Sequence, residues 1–174
     1  MPMINLRVPT PSDTPRLLEL AIGSELFTPT GAADLLGYPL EQLHANALAE
    51  GHAVSLAEST EGELTGWIYY APDTNADAVW NVWWIGVSAK NMGNGTAVQL
   101  LKRAEAAAQN AGARVMVIET SDNDLLLRAR RFYLREGYAE CGRIPHFYAE
   151  GEAKVIFSKH WPVADGSTSQ RSRS

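Results

Sequence analysis

One cysteine, Cys141, stands among 174 residues, so there is no internal disulfide framework. That absence excludes the small secreted scaffolds that depend on such cross-links. Cys141 itself reads as a buried small hydrophobe. No apolar run reaches the roughly 20 residues of a membrane-spanning helix. The start, Met1-Pro2-Met3-Ile4-Asn5-Leu6-Arg7, has no signal-peptide core. The expectation is a cytoplasmic protein with no membrane partner. A basic excess is also missing, since 15 Lys and Arg stand against 20 Asp and Glu, for a net charge of −5. Chains that hold DNA or RNA by neutralising phosphates carry the opposite balance, so no nucleic-acid partner is expected. The one dense basic stretch is Arg128, Arg130, Arg131 and Arg135. It reads either as a solvated helix face or as local attraction for a ligand's phosphates.

What is present is an ordinary globular composition, 45% hydrophobic and 20% charged, long enough for one domain with a real core. A first strand is expected over Ile4–Val8, then a helix begun by Thr10-Pro11-Ser12-Asp13 with Leu17, Leu18 and Ala21 on its apolar face. Between Phe27 and Gly51 lie two short helical patterns broken by Gly37 and Pro39. His52–Glu58 and Leu64–Ala71 read as strands joined by the turn Ser59-Thr60-Glu61-Gly62. Val79–Val87 is a further strand, rich in tryptophan, in which Trp84 and Val82 are expected to pack a core. Ala97, Leu100, Leu101, Ala104, Ala107, Ala108 and Ala111 then mark one face of a helix that begins near Thr96 and stops at Gly112. Arg114–Glu119 follows as a strand, and strand-helix-strand implies a parallel pair. Asn123 or Asp124 caps a helix ending at Gly137. Tyr138–Ile144 and Ala153–Lys159 complete the sheet as an antiparallel pair around a loop at Pro145-His146-Phe147-Tyr148. The domain is expected to end at Trp161, and Pro162 onward reads as a disordered tail.

The turn Lys90-Asn91-Met92-Gly93-Asn94-Gly95 opens directly into the helix at Thr96. Backbone N–H groups in such a turn, backed by the positive end of a helix dipole, form an anion site suited to a pyrophosphate. Two nucleotide motifs fail here. A dinucleotide fingerprint wants a third small residue where Val98 stands, and a P-loop wants a lysine before Ser or Thr, whereas Gly95 precedes Thr96 directly.

The order of these elements resembles the GCN5-related N-acetyltransferase (GNAT) family. Lys90, Gly93 and Gly95 stand at the positions of its Gln/Arg-x-x-Gly-x-Gly/Ala loop. Val117-Ile118-Glu119-Thr120 follows on the next strand. Ala129-Arg130-Arg131-Phe132-Tyr133-Leu134-Arg135-Glu136-Gly137-Tyr138 is similar to its Ala-x-x-Leu-Tyr-x-x-x-Gly-Phe signature. The resemblance covers the second half of the chain, and the first half fits in layout. It departs from the family at Lys90, at Asn94 in an aliphatic slot, and at Leu126 where many relatives have Asn.

The resemblance implies an α/β fold with a mixed, mostly antiparallel central sheet, a splayed parallel strand pair and helices on both faces. It implies acetyl-CoA as cosubstrate, with no metal. Ile85, Gly86 and Val87, opposite Glu119, would receive the acetyl-pantetheine arm. Lys90, Asn91, Met92, Gly93, Asn94, Gly95 and Thr96, helped by Arg128, would hold the pyrophosphate. Attack by an amine requires loss of a proton. Glu119, a carboxylate ending an otherwise apolar strand and expensive to bury, is the candidate base; a structural partner such as backbone or an arginine is its alternative role. Tyr133 is the candidate proton donor to the departing thiolate, or else a core tyrosine. Asn81, Trp83 and His146 are candidate acceptor contacts, and Trp67, Tyr69, Tyr70 and Trp80 lie in core or pocket. The activity implied is acetyl transfer to a primary amine of a small molecule. Two alternatives are acetylation of a protein N-terminus or lysine, and a non-catalytic acetyl-CoA-binding module. A homodimer is in keeping with the family.

Overall fold

The computed structural model describes residues 4–23 and 29–162, and of residues 29–35 the backbone only. Part of the region from Phe27 and most of the expected tail lie outside them. The chain begins with β1 (Ile4–Arg7), α1 (Thr14–Ile22) and α2 (Pro29–His44). The antiparallel strands β2 (Ala53–Ser59), β3 (Leu64–Pro72) and β4 (Val79–Val87) follow. Next come α3 (Thr96–Asn110), β5 (Val115–Ser121), α4 (Leu127–Arg135), β6 (Ala139–Ala149) and β7 (Glu152–His160). The seven strands form one sheet in the order β1-β2-β3-β4-β5-β7-β6, and β4 with β5 is its parallel pair. The expected mixed, mostly antiparallel sheet is therefore present.

Strand alternation divides the core into two layers. Ile68, Tyr70, Trp80, Val82, Met116, Ile118, Val155 and Phe157 point to one face, against Leu100, Leu101, Ala104 and Ala108 of α3 and Phe132 and Tyr133 of α4. Val54, Leu56 and Trp67 point to the other, against Leu17 and Ala21 of α1 and Leu36 and Leu40 of α2. Helices therefore flank both faces. The small residues of α3 permit close seating. At Gly66 a Cβ would stand 2.7 Å from the Gly86 carbonyl oxygen and 3.1 Å from both Leu100 and Thr96. That contact brings the start of α3 to the end of β4, where the glycine turn lies.

Several expectations are corrected. The two helical patterns around Gly37 and Pro39 form one helix with Pro39 inside it. Leu36 and Leu40, each 1% exposed, anchor that helix on the second core. Their burial outweighs the roughly 3 kcal/mol cost of an internal proline. The expected loop at Pro145–Tyr148 belongs to β6, and the reversal falls at Glu150–Gly151. Cys141 is exposed rather than buried. A register shift between Glu140 and Gly142 skips Cys141 in the pairing with β7, on the edge strand of the sheet. Of the residues left between core and pocket, Tyr70, Trp67 and Trp80 are core; Val82 is buried and the half-buried Trp84 packs against the second core, as expected of both.

The first turn is held by charge. The Arg7 guanidinium donates to both Asp13 oxygens at 2.7 and 2.9 Å and to Glu58 at 3.1 Å. Asp13 also accepts from the Thr10 N–H and hydroxyl. These bonds, led by Arg7, hold the Asp13 carboxyl well below its ordinary value near 3.8. Because the folded value is depressed, the stabilisation is complete above that ordinary value and lost as pH falls below it. Asp13→Asn should cost on the order of 2 kcal/mol at pH 7. Its deficit against wild type should shrink in urea melts carried from pH 5 toward pH 2. A deficit independent of pH would contradict the ionic origin.

Candidate active site

Pairing between β4 and β5 runs from Val79–Val115 to Val82–Ile118 and stops there. Beyond it, β4 stays on β3 as far as Val87, and β5 stays on β7 as far as Ser121. The two strands thus part company, leaving Ile85, Gly86 and Val87 on one side of the opening and Glu119 on the other. A bulge adds to this divergence. Tyr69 faces Trp84 while Tyr70 faces Val82, so Trp83 is the extra residue, and it is 56% exposed. The Trp84 indole lies over Gly86, where a Cβ would stand 3.0 Å from its Nε1.

At the end of β4 the chain makes a short 3-10 turn, Ala89–Asn91, and enters α3 through two left-handed glycines, Gly93 (φ 85°) and Gly95 (φ 92°). Side chains brace the turn. Asn91 donates to Ser88 at 2.8 Å, and Asn94 donates to Asn91 at 3.0 Å. Asn94 Oδ1 accepts from the Thr96 N–H at 3.1 Å and from its hydroxyl at 2.7 Å. The unusual Asn94 is therefore the tie that fixes the helix start. The N–H groups of Gly93, Asn94, Gly95, Ala97 and Val98 have no acceptor among the described residues. Together with the dipole of α3, they form a cradle for an anion. A Cβ on Gly93 would stand 3.4 Å from Arg128 Nη2, which puts that guanidinium beside the cradle. Arg130 instead donates to the Ser121 and Asn123 carbonyls, and Arg131 and Arg135 are exposed. Lys90 extends toward Glu63, 3.7 Å away, with both side chains largely exposed. These donors and cations fit a pyrophosphate. Met92 is exposed beside them.

Glu119 is not buried as its apolar strand suggested. Its side chain is 46% exposed and Oε2 lies 2.6 Å from Lys154 Nζ. Met116 and Ile118 face the first core, so Val117 and Glu119 project to the opposite face of the sheet. Lys154 arrives from β7, where it neighbours the core residues Ala153 and Val155 and so shares Glu119's face. Its ammonium lies 3.8 Å from the Phe147 ring centre. Lys154 and Phe147 had no motif to announce them; for Lys154 the alternation of β7 was the available signal.

The other candidates separate. Asn81 donates to Asp73 Oδ2 at 3.0 Å. His146, at φ 55°, accepts the Gly151 N–H on Nδ1 at 3.0 Å beside Glu150, which ties it to the β6–β7 turn. Tyr133 is 5% exposed, with Phe132 and Phe157 each 5.6 Å away between ring centres. Burial pushes its phenol well above the ordinary tyrosine range, so it holds its proton. Among the described residues no cluster of His, Cys, Asp and Glu suits a metal ion, and no helix is long and apolar enough to cross a membrane.

Known proteins share this fold. A GNAT-family protein from Desulfovibrio desulfuricans superposes with TM-score 0.83 at 23% identity, covering 91% of this chain and 99% of the other. The ribosomal-protein-alanine N-acetyltransferase of Brucella melitensis gives 0.71 at 17% identity, covering 90% and 99%. An aminoglycoside 6'-N-acetyltransferase complexed with coenzyme A gives 0.71 at 16% identity, covering 94% and 99%. No curated protein matches the sequence. The acetyltransferase (GNAT) family model matches residues 21–138, most of the chain, and the protein belongs to that family.

Proposed function

We propose that this protein transfers the acetyl group of acetyl-CoA to the primary amine of a small molecule. The observation that carries the reading is the glycine-braced cradle of unpaired N–H groups at the mouth of a splayed strand pair with Glu119 opposite. Solved relatives, among them one complexed with coenzyme A, support the cosubstrate. Gly93–Val98 and Arg128 would hold the pyrophosphate, and the free edge of Ile85–Val87 would receive the pantetheine arm. Acetyl-CoA, when bound, supplies an acyl group on a thioester that amines attack. Backbone N–H groups near Ile85–Val87 serve the carbonyl oxygen as charge grows on it.

A C–N bond forms and the C–S bond breaks. Glu119 takes the proton that the ammonium must lose before attack; the Tyr133 hydroxyl gives one to the sulfur, and the second proton that the nitrogen sheds on becoming an amide restores the phenol. Tyr133→Phe keeps the ring packing, so melting temperature and acetyl-CoA affinity should hold while kcat falls by roughly 10²-fold, the low end for general acid assistance. Unchanged kcat in steady-state assays would return Tyr133 to the core alone. Trp83, Asn81 and His146 remain proposed acceptor contacts.

The half-exposed Glu119 on an open face also supports a second reading, a peptide N-terminus as acceptor. A thiol-release screen over amino acids, polyamines, aminoglycosides and short peptides tests both. Amine-dependent release is expected, and release from peptides only would exchange the first reading for the second.

A further inference from the structure

The Lys154–Glu119 pair is asymmetric in a way that an ordinary surface ion pair is not. The lysine side chain is 15% exposed while its partner is 46% exposed. The ammonium spends one donor on Glu119, and its remaining N–H groups have no acceptor among the described residues. The Phe147 ring covers it, with Tyr148 packed edge-on to that ring at 4.9 Å and both rings half-exposed. Tyr148 also senses Lys154, Glu119 and Glu152, so all these groups share one small region. A sheltered cation with unused donors thus sits directly beside an accessible carboxylate, at the point where β4 and β5 separate.

We propose that the acceptor is an amino-acid-like zwitterion, an amine with a carboxylate or comparable acid on the same carbon, whose acid binds Lys154 and whose ammonium binds Glu119. This rests on the acetyl-transfer reading above. The two protein charges lie 2.6 Å apart, and an amine and acid on one carbon present opposite charges at a similar spacing. Laid against the pair in opposite polarity, the zwitterion exchanges one ion pair for two. The exchange also frees the base, because the incoming acid takes over Lys154 and leaves Glu119 for the ammonium. An amine without an acid gains no such exchange. It must compete with Lys154 for Glu119 and brings a like charge close to the lysine. Phe147 and Tyr148 form an apolar wall for the substituent.

The test is kcat/KM at saturating acetyl-CoA for L-amino acids, each against its own carboxamide, with spermidine as an amine lacking an acid. Acids should exceed their amides by at least about 30-fold, the scale of losing one partner of a sheltered charge pair. Lys154→Met should erase that preference mainly through KM, and Lys154→Arg should retain much of it. Amides or spermidine turned over as well as the acids would overturn the proposal, as would a preference that survives in Lys154→Met. Acetyl-CoA binding without turnover of any amine would instead overturn the transfer reading and this inference with it.

Discussion

Gly95→Asp should weaken acetyl-CoA binding by at least about 100-fold, from the loss of charge-assisted bonds and the repulsion of like charges at close range. Gly95 sits at φ 92° at the start of α3, next to the N–H groups that make the anion cradle. The substitution brings a carboxylate to a position suited to phosphate oxygens. It also imposes a left-handed backbone on a residue with a Cβ, at a cost of roughly 1–2 kcal/mol. Gly95→Ala separates the two effects, since it carries the strain without the charge. Calorimetry should find Ala weakened much less than Asp, with both proteins folded by circular dichroism. Equal affinities for wild type and Asp would place the cosubstrate elsewhere.

The second large effect is expected at Glu119. Glu119→Gln keeps size and can still accept from Lys154, but it cannot take a proton. Turnover at pH 7 should fall by about 10²-fold, a typical contribution for a positioned base. The deficit should narrow as pH rises toward the acceptor amine's own pKa, because free amine then replaces the missing base. Acetyl-CoA affinity should stay near wild type, since the cradle lies on the β4 side of the opening. A pH–rate profile parallel to wild type would remove Glu119 from proton transfer and leave it as Lys154's partner.

How much of this was legible in the sequence depends on whether the signal was local. Helical period marked the α3 face directly: of its seven expected residues Leu100, Leu101, Ala104 and Ala108 are buried, Ala97 and Ala107 are half-buried, and Ala111 falls past the helix end and is exposed. The glycine turn was legible because it opens directly into a helix, and Gly93 and Gly95 both adopt the left-handed backbone that suits glycine. The failures all needed tertiary information. Pro39 reads as a breaker until Leu36 and Leu40 are seen seated on Leu17 and Trp67. Cys141 reads as core until the bulge on an edge strand puts it outside. Glu119 signalled a function or a partner, but its partner Lys154 lies 35 residues away, and only the β5–β7 register brings them together. Likewise, Asn94 looked like a defect in a motif, yet its side chain supplies two of the hydrogen bonds that fix the helix start.

Transfer of an acetyl group onto an amine is tested most directly by identifying the product. Purified protein would be incubated with acetyl-CoA deuterated in the acetyl methyl group and with the amino-acid panel, and the acceptors analysed by tandem mass spectrometry. Labelled acetyl is expected on the amino nitrogen of one or a few acceptors, strongly reduced with Glu119→Gln. Tight acetyl-CoA binding with no labelled amine across amino acids, polyamines, aminoglycosides and peptides would contradict acetyl transfer and leave a binding module in place of an enzyme.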